Sequence, residues 1–286
     1  KISFKFNGKK YFGYEGDTLA SALLANGVHL VGRSFKYHRP RGFLGVGVEE
    51  PNAQVQLYSG AKTEPNAVAT TIELVEGLVA KSQNCFPSVS FDFGAINNFL
   101  HKFFPAGFYY KTFMWPKSFW YKIYEPIIRK AAGLGIAPLK PDPDRYEHKF
   151  EHCDILIVGS GPSGLSSALA AAKNGSRVIL AEDKPRFGGS LLTDEVTIGN
   201  KSGKDWANET ITELKSMPNV IIKNRSQVFG YYDHNMMVMV ERTRDHIKNP
   251  SKYTPRQKLW YIRSKEVIIS TGSIERPLVF GNNDRP

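Results

Sequence analysis

A glycine-rich turn at residues 159–164 is the segment whose residue types and spacing are best suited to chemistry. It reads Gly-Ser-Gly-Pro-Ser-Gly and follows the apolar run Cys153–Val158. In such a turn the first glycine permits a tight bend, the second lets backbone approach a pyrophosphate, and the third lets the next helix pack closely. The unpaired N–H groups at the start of that helix attract an anion. The turn therefore predicts binding of a dinucleotide.

The residues after the turn predict the helix and strand that such a site needs. Apolar residues recur at i, i+3, i+4 and i+7 of one buried helical face, at Leu165, Ala168, Leu169 and Ala172. Val178–Ala181 then reads as a second buried strand, which ends in Glu182. An acidic side chain at that point can accept hydrogen bonds from ribose hydroxyls, which favours NAD over NADP. Lys184 and Arg186 nearby leave NADP open, and FAD also stays open.

Further strands and glycines extend the predicted site. Phe187–Ser190 is similar to the second glycine pair of flavoproteins that bind two dinucleotides, and an ordinary glycine loop is the alternative. A strand at Val220–Lys223, an antiparallel meander over 227–263 and a buried strand at Val267–Gly272 are expected next. We predict that the nucleotide is contacted by Gly159, Gly161, Pro162, Ser163, Gly164, Glu182, Asp183, Lys184, Arg186, Gly188, Gly189, Ser190, Val228, Thr271 and Gly272.

The first 82 residues predict a small mixed domain of the β-grasp, ferredoxin-like type. A hairpin is expected at residues 2–14 around Asn7-Gly8, followed by a helix that Asp17 or Thr18 caps. Strands are expected at Ala53–Tyr58 and Ala67–Leu74. Domains of this type often hold a two-iron cluster on four cysteines, but the segment where ligands would lie, Gly32–Gly42, contains no cysteine. We therefore expect a cluster-free domain.

Residues 83–150 are rich in aromatic side chains and proline, and we interpret them as a connecting segment. Clustered aromatics bury large areas, so the segment is expected to wrap over another domain or a partner subunit. An aromatic substrate-binding cage is the alternative. A Rossmann-like FAD/NAD(P)-binding domain is expected to occupy residues 151–286 and to be incomplete at its C-terminus, so the predicted fold class is α/β and the chain is expected to be part of a longer polypeptide.

Composition excludes several classes of function. The apolar runs fall well short of the roughly 20 residues that a membrane helix needs, so no membrane association is expected. The net charge is +11, but basic residues are spread along the chain, which argues against a nucleic-acid surface. Only Cys85 and Cys153 are present, which suits a reducing compartment, and we expect the cytoplasm. Neither a catalytic constellation nor a metal-type cluster is visible, so no catalytic residue and no metal ligand is predicted.

Four segments together resemble the α subunit of the heterotetrameric sarcosine oxidase family: Gly32–Gly42, Glu49–Ala53, Phe104–Phe113 and Ile274–Pro277. The resemblance implies that this chain holds NAD, that an FAD lies in a β subunit, and that an FMN lies at the interface between the two. It also implies β, γ and δ partner subunits, with sarcosine and tetrahydrofolate bound outside this chain. The implied reaction is demethylation of sarcosine to glycine, with hydrogen peroxide and formaldehyde or 5,10-methylenetetrahydrofolate as products.

Two other interpretations stay open. Subunits of opine or other amine oxidases and dehydrogenases share the double-glycine organisation. The chain can also be a mainly structural assembly module that a bound nucleotide stabilises.

Overall fold

The computed structural model describes residues 1–104, 107, 112–274 and 276–286, and the chain divides into two compact units. Unit 1 comprises Lys1–Pro143 and Ile274–Pro286, and unit 2 comprises Asp144–Ser273. Parts of two motifs noted above, residues 105, 106, 108–111 and 275, lie outside the described residues. The domain boundaries expected after residues 82 and 150 stay a prediction.

Unit 1 contains a five-stranded mixed sheet in the order β2-β1-β7-β5-β6. β1 pairs with β2 in antiparallel fashion and with β7 in parallel, which confirms the predicted mixed character. A separate two-stranded ladder joins β3 to β4. The strands of this unit are β1 (Ile2–Phe6), β2 (Lys9–Gly13), β3 (Gly32–Arg33), β4 (Pro40–Arg41), β5 (Gln54–Leu57), β6 (Glu64–Val68) and β7 (Val79–Ser82).

Local chemistry explains why the first elements form where they were predicted. Asn7 and Gly8 both have positive φ, 49° and 79°, as the central residues of a type I′ hairpin turn require. Helix α1 (Leu19–Ala25) begins with a capping box, because the Thr18 hydroxyl accepts from the Ser21 amide and the Ser21 hydroxyl accepts from the Thr18 amide. Its buried face packs with the sheet in one core that includes Phe4, Phe6, Leu19 and Leu23.

The expected strand at Ala67–Leu74 is wrong over most of its length. β6 ends at Val68, and the chain then turns beneath α1. There the carbonyl of Ala69 accepts from the Ala20 amide and the carbonyl of Ile72 accepts from the Leu19 amide. The apolar residues of this stretch are therefore buried against the start of α1. Burial of this kind produces a run of apolar residues in the sequence that looks like a strand.

The segment 83–143 carries only short helices among its described residues. They are α2 (Ile96–Phe99) and α3 (Glu125–Ala132), with a π-helical turn at Trp120–Tyr124 and 3₁₀ turns at Phe93–Ala95 and His101–Phe103. A further 3₁₀ turn lies at Gly60–Lys62. Buried His38 links this segment to the rest of unit 1, because its Nδ1 lies 2.6 Å from Asp92 and its Nε2 lies 2.8 Å from the carbonyl of Ala131.

Among the described residues, no helix has both the length and the apolarity that a membrane span requires.

Unit 2 is a six-stranded sheet in the order β12-β9-β8-β15-β14-β13, with two helices packed on it. The first four strands of this order run parallel, and β15, β14 and β13 form an antiparallel meander, as predicted. The elements are β8 (Tyr146–Val158), α4 (Pro162–Lys173), β9 (Val178–Ala181), β10 (Thr197–Ile198), β11 (Lys201–Ser202), α5 (Gly203–Ser216), β12 (Val220–Lys223), β13 (Ser226–Tyr232), β14 (Met236–Arg242) and β15 (Gln257–Ile269), with a 3₁₀ turn at Gly189–Leu192. The predicted α/β class is confirmed.

The prediction of two separate strands at Leu259–Arg263 and Val267–Gly272 is wrong. The structure has one strand, β15, which pairs with β8 in parallel from Gln257 opposite Tyr146 to Ile269 opposite Val158. Exposed polar residues in its middle break the apolar pattern, although the backbone ladder continues. Because β15 ends at Ile269, Thr271 and Gly272 belong to the loop that follows.

Candidate dinucleotide-binding site

The glycine turn joins β8 to α4 and allows three parts of unit 2 to meet closely. Gly159 has a φ of +98°, and a Cβ on it would overlap the carbonyl oxygen of Ser270 at the end of β15. A Cβ on Gly164 would overlap the carbonyl oxygen of Gly159. Both positions therefore exclude every side chain, in agreement with the tight bend and the close helix packing expected of them.

The middle glycine of the turn has a different environment. Gly161 is the N-cap residue of α4, its φ is −67°, and a Cβ placed on it would have nothing within 4 Å. Pro162 has no N–H group, and the first amides of a helix have no intrahelical acceptor. The amides of Ser163 and Gly164 lie in the first turn of this twelve-residue helix, next to the open position at Gly161. This arrangement fits a phosphate, which needs close backbone approach and N–H donors.

Glu182 lies at the end of β9, and its carboxylate is held against the turn. Its Oε2 accepts from the Ser160 amide at 2.9 Å and from the Ser160 hydroxyl at 2.5 Å, and its Oε1 accepts from the Lys184 amide at 3.1 Å. Glu182 is 5% exposed and Ser160 is fully buried. Glu182, which was expected to face the ribose, therefore connects the turn after β8 to the end of β9 through hydrogen bonds.

The environment of Glu182 raises the pKa of its carboxyl. Burial is the largest cause that raises the pKa of this carboxyl above its ordinary value, and the side chain of Asp183 adds to the effect. The hydrogen bonds from Ser160 and Lys184 act in the opposite direction but do not offset burial. A ligand hydroxyl that donates to the carboxylate would favour the charged form.

The second glycine pair packs against the first turn. Gly188 and Gly189 have positive φ values of 130° and 54°, and the Gly188 amide donates to the Ser160 carbonyl at 3.1 Å and to the Ser160 hydroxyl at 3.2 Å. A Cβ on Gly189 would lie 2.9 Å from the Cα of Gly161. The pair and the turn therefore form one continuous surface.

Sequence reasoning did not include Ser160 among the contact residues, although it connects both glycine motifs and Glu182. Ser160 lies between two glycines and belongs to no helical or strand periodicity. Its position within the glycine motif was therefore the only signal in the sequence that could have identified it. The remaining predicted residues surround the same strand ends. Val228 packs in the core cluster that contains Ala181, and Thr271 and Gly272 follow Ser270, whose carbonyl touches the turn. The side chains of Asp183, Lys184, Arg186 and Ser190 are exposed.

Two families match this chain. Residues 1–85 match a family described as 2Fe-2S iron-sulfur cluster binding domain, and residues 154–235 match one described as FAD dependent oxidoreductase. The subunit alpha of sarcosine oxidase from Rhizobium meliloti is 54% identical over 285 residues, which is 100% of this chain and 29% of that protein. The chain is a relative of the sarcosine oxidase α subunits.

A more distant sarcosine oxidase α subunit, from Corynebacterium sp., is 31% identical and also aligns with 100% of the chain, but with only 25% of its own length. The chain thus spans about a quarter of the length of these sarcosine oxidase relatives. Among solved structures, L-proline dehydrogenase from P. horikoshii superposes with a TM-score of 0.57 over 99% of this chain and 43% of its own. Its sequence identity is 20%, so the likeness concerns the fold.

The first match raises the question of whether unit 1 can hold an iron–sulfur cluster. Such clusters are held by four protein ligands, almost always cysteine thiolates. Residues 1–85 contain a single cysteine, Cys85. Within the described ranges, no group of three or more His, Cys, Asp or Glu side chains is arranged to bind a metal ion. The donor set of unit 1 therefore does not fit a cluster.

Proposed function

We propose that this chain binds an adenine dinucleotide, NAD, at the N-terminus of α4. The observation that supports the proposal is the contrast within the glycine turn. Gly159 and Gly164 are enclosed by backbone, whereas Gly161 borders open space beside the first amides of the helix. A turn that served only packing would not need a glycine at a position where a Cβ meets no protein atom.

Each predicted contact residue receives a role in this proposal. Gly161, Pro162, Ser163 and Gly164 surround the pyrophosphate, and Gly159 shapes the bend. Glu182 accepts from the adenosine ribose through the lone pairs that Ser160 and Lys184 leave available. The remaining contacts line the nucleotide along the strand ends: Asp183, Lys184, Arg186, Gly188, Gly189, Ser190, Val228, Thr271 and Gly272.

We further propose that the chain is part of the α subunit of a sarcosine oxidase complex with β, γ and δ subunits. In this proposal sarcosine is oxidised at an FAD in the β subunit, and electrons pass to oxygen through an FMN at the α/β interface. Glycine, hydrogen peroxide and formaldehyde or 5,10-methylenetetrahydrofolate are the products. This chain contributes nucleotide binding and no catalytic residue.

The organisation and location of the chain complete the proposal. Residues 1–82 form a β-grasp domain without a cluster, residues 83–150 connect it to the nucleotide domain, and residues 151–286 belong to a Rossmann-like domain. The location is the cytoplasm, whose reducing conditions suit the free thiols of Cys85 and Cys153.

The first test is to identify the nucleotide. The chain is purified and denatured, and the released nucleotide is identified by mass spectrometry. Stripped protein is then titrated with NAD, NADP and FAD by calorimetry. The matched variant is Gly161→Ala, because its Cβ meets no protein atom. We expect unchanged melting of the nucleotide-free variant and NAD affinity at least about tenfold lower, since the methyl group blocks phosphate approach.

The same experiment can reject the proposal. Folded wild-type chain that neither carries nor binds any adenine nucleotide would contradict it, and so would equal NAD affinity in Gly161→Ala. Tighter binding of FAD than of NAD would replace the cofactor but keep the site. For the complex, oxidation rates with sarcosine, dimethylglycine, proline and an opine test the substrate, and preference for the opine would overturn that part.

A second candidate function is an assembly module in which the nucleotide is structural. The observation that favours it is a set of exposed aromatic side chains in unit 1, including Phe99, Trp115 and Tyr121, each more than 80% exposed. The variant Glu182→Ala separates the two functions. Loss of subunit assembly with normal turnover per assembled complex supports a structural nucleotide, whereas normal assembly with reduced turnover supports a direct role in turnover.

A further inference from the structure

The loop between β4 and β5 is organised around two of its own carboxylates. This loop, residues 42–53, contains no strand or helix, so its backbone amides have no ladder partners. Six of them donate to the adjacent side chains of Glu49 and Glu50, from Leu44, Gly45, Val46, Gly47, Asn52 and Ala53. The carboxylates therefore supply the acceptors that a regular element would otherwise provide.

Glu50 is the inner of the two carboxylates and is only 3% exposed. Its Oε2 accepts from the amides of Leu44 and Gly45, each at 2.6 Å. Its Oε1 accepts from the amides of Asn52 and Ala53 at 2.6 and 3.1 Å. A buried carboxylate is tolerated only when hydrogen bonds compensate its lost hydration, and charge-assisted bonds of this length are the strong kind.

Glu49 completes the arrangement at the surface. Its Oε1 accepts from the amides of Val46 and Gly47 at 2.6 and 2.8 Å. Burial would raise the pKa of Glu49, but backbone hydrogen bonds, including those from Val46 and Gly47, hold it below its ordinary value. Amides of the loop therefore donate to both carboxylates, to Glu50 inside the loop and to Glu49 at its surface.

This geometry matters because the loop directly follows Gly32–Gly42, where cluster ligands were expected, and because residues 1–85 match a cluster-binding family but contain one cysteine. The sulfurs of an iron–sulfur cluster accept hydrogen bonds from their surroundings, and the ligand bonds fix the loop that holds them. We propose that the Glu50 carboxylate is a built-in anion that organises loop 42–53, so that this loop is ordered by a carboxylate of the chain itself and not by a metal centre. The inference extends the proposed cluster-free character of unit 1.

The test uses hydrogen–deuterium exchange of the full chain, resolved to the amides of residues 44, 45, 52 and 53. The variants are Glu50→Ala, which opens a carboxylate-sized space, and Glu50→Gln, which keeps the volume but removes the charge. The exposed Glu15→Gln is the matched control. We expect exchange at these amides to rise by roughly tenfold or more in both Glu50 variants, because their acceptor is lost or its charge removed, and to stay unchanged in the control.

Sodium formate then tests whether the amides form an anion site. Formate is expected to restore protection in Glu50→Ala but not in Glu50→Gln, where the space is filled, and sodium chloride at the same ionic strength is expected to have no effect. Unchanged exchange in both Glu50 variants would overturn the inference. So would failure of formate to restore a folded Glu50→Ala. If Glu50→Ala yields no folded chain, the exchange comparison of Glu50→Gln with Glu15→Gln decides the question.

An iron–sulfur reconstitution experiment distinguishes failure of this inference from failure of the nucleotide proposal. Wild-type chain is incubated anaerobically with ferrous iron and sulfide, desalted, and analysed for bound iron and visible absorbance. We expect neither. A stoichiometric cluster would overturn the built-in anion and the cluster-free assignment together, while NAD titration of the same sample would still report on unit 2.

Discussion

Two loops of this molecule gather backbone amides in the same way but differ in what those amides bind. In loop 42–53 of unit 1, six amides donate to Glu49 and Glu50 of the same loop. In turn 159–164 of unit 2, the Ser160 amide donates to Glu182, and the described residues supply no other carboxylate to the amides of the turn. A Cβ on Gly161, at the start of α4, would meet no protein atom within 4 Å. The comparison teaches that the chain itself supplies the anion in loop 42–53, whereas at the start of α4 the proposed nucleotide would supply it.

The difference follows from residue choice. Two consecutive glutamates lie inside the first loop, and their side chains can fold back onto the amides on either side. The turn at residues 159–164 contains glycine, serine and proline but no acidic residue, so it has no carboxylate of its own to offer its amides. The carboxylate that does accept there, from the Ser160 amide and hydroxyl, belongs to Glu182, which follows β9.

The largest effect expected from this comparison is that of Gly164→Ala. The new Cβ would overlap the carbonyl of Gly159, so backbone must move, and we expect the free energy of unfolding of unit 2 to fall by about 3 kcal/mol. Urea denaturation followed by hydrogen exchange of unit 2 peptides measures this loss. Gly161→Ala is the matched control with open space for its Cβ, and equal stability of the two variants would contradict the distinction between the enclosed and the open glycine.

An intermediate effect is expected from Ser160→Ala. The variant removes the hydroxyl that donates to Glu182 and accepts from Gly188, so buried groups lose partners, at a cost of about 1–3 kcal/mol. Urea denaturation of nucleotide-free protein gives the stability, and calorimetry gives NAD affinity, which we expect to fall as Glu182 loses its orientation. Ser166→Ala, on the exposed side of α4, is the control, and a loss of the same size there would reject a special role for Ser160.

The smallest effect is a dependence of stability on pH. Because the folded-state pKa of Glu182 is raised above its ordinary value of 4.5, its contribution to stability is fully present below that value. The contribution is lost as the pH rises through the folded-state pKa. Urea titrations of nucleotide-free chain from pH 4 to about 7 should therefore show a decline that Glu182→Gln lacks and the exposed Glu195→Gln keeps. A decline in Glu182→Gln as steep as in wild type, or steeper, would refute this account.

Local sequence signals predicted the first hairpin, the capped α1, the glycine turn, α4 and β9. Each of these depends on neighbouring residues: positive-φ residues at Asn7 and Gly8, a capping hydroxyl at Thr18, and helical spacing after Gly164. The antiparallel meander was also predicted, because its strands follow one another along the chain. The fold class followed from the order of these elements.

Long-range pairing could not be predicted from the same signals. Val79–Ser82 was not identified as a strand, because these four residues form a strand only through pairing with β1 and β5, which are distant in the sequence. Exposed Lys265 and Glu266 suggested a break in β15 that the ladder with β8 spans. In the site, Glu182 was identified from its distance to the turn, but its bonds to Ser160 depend on the three-dimensional approach of two strand ends.

The position of Glu50 within its own loop has a consequence for how the protein matures in the cell. A loop whose acceptor is encoded in the polypeptide needs no separately delivered group to complete its hydrogen bonds. It does not wait for iron delivery, it needs no assembly machinery for sulfide, and oxygen does not dismantle it. Growth under iron limitation should therefore leave the yield of folded unit 1 unchanged.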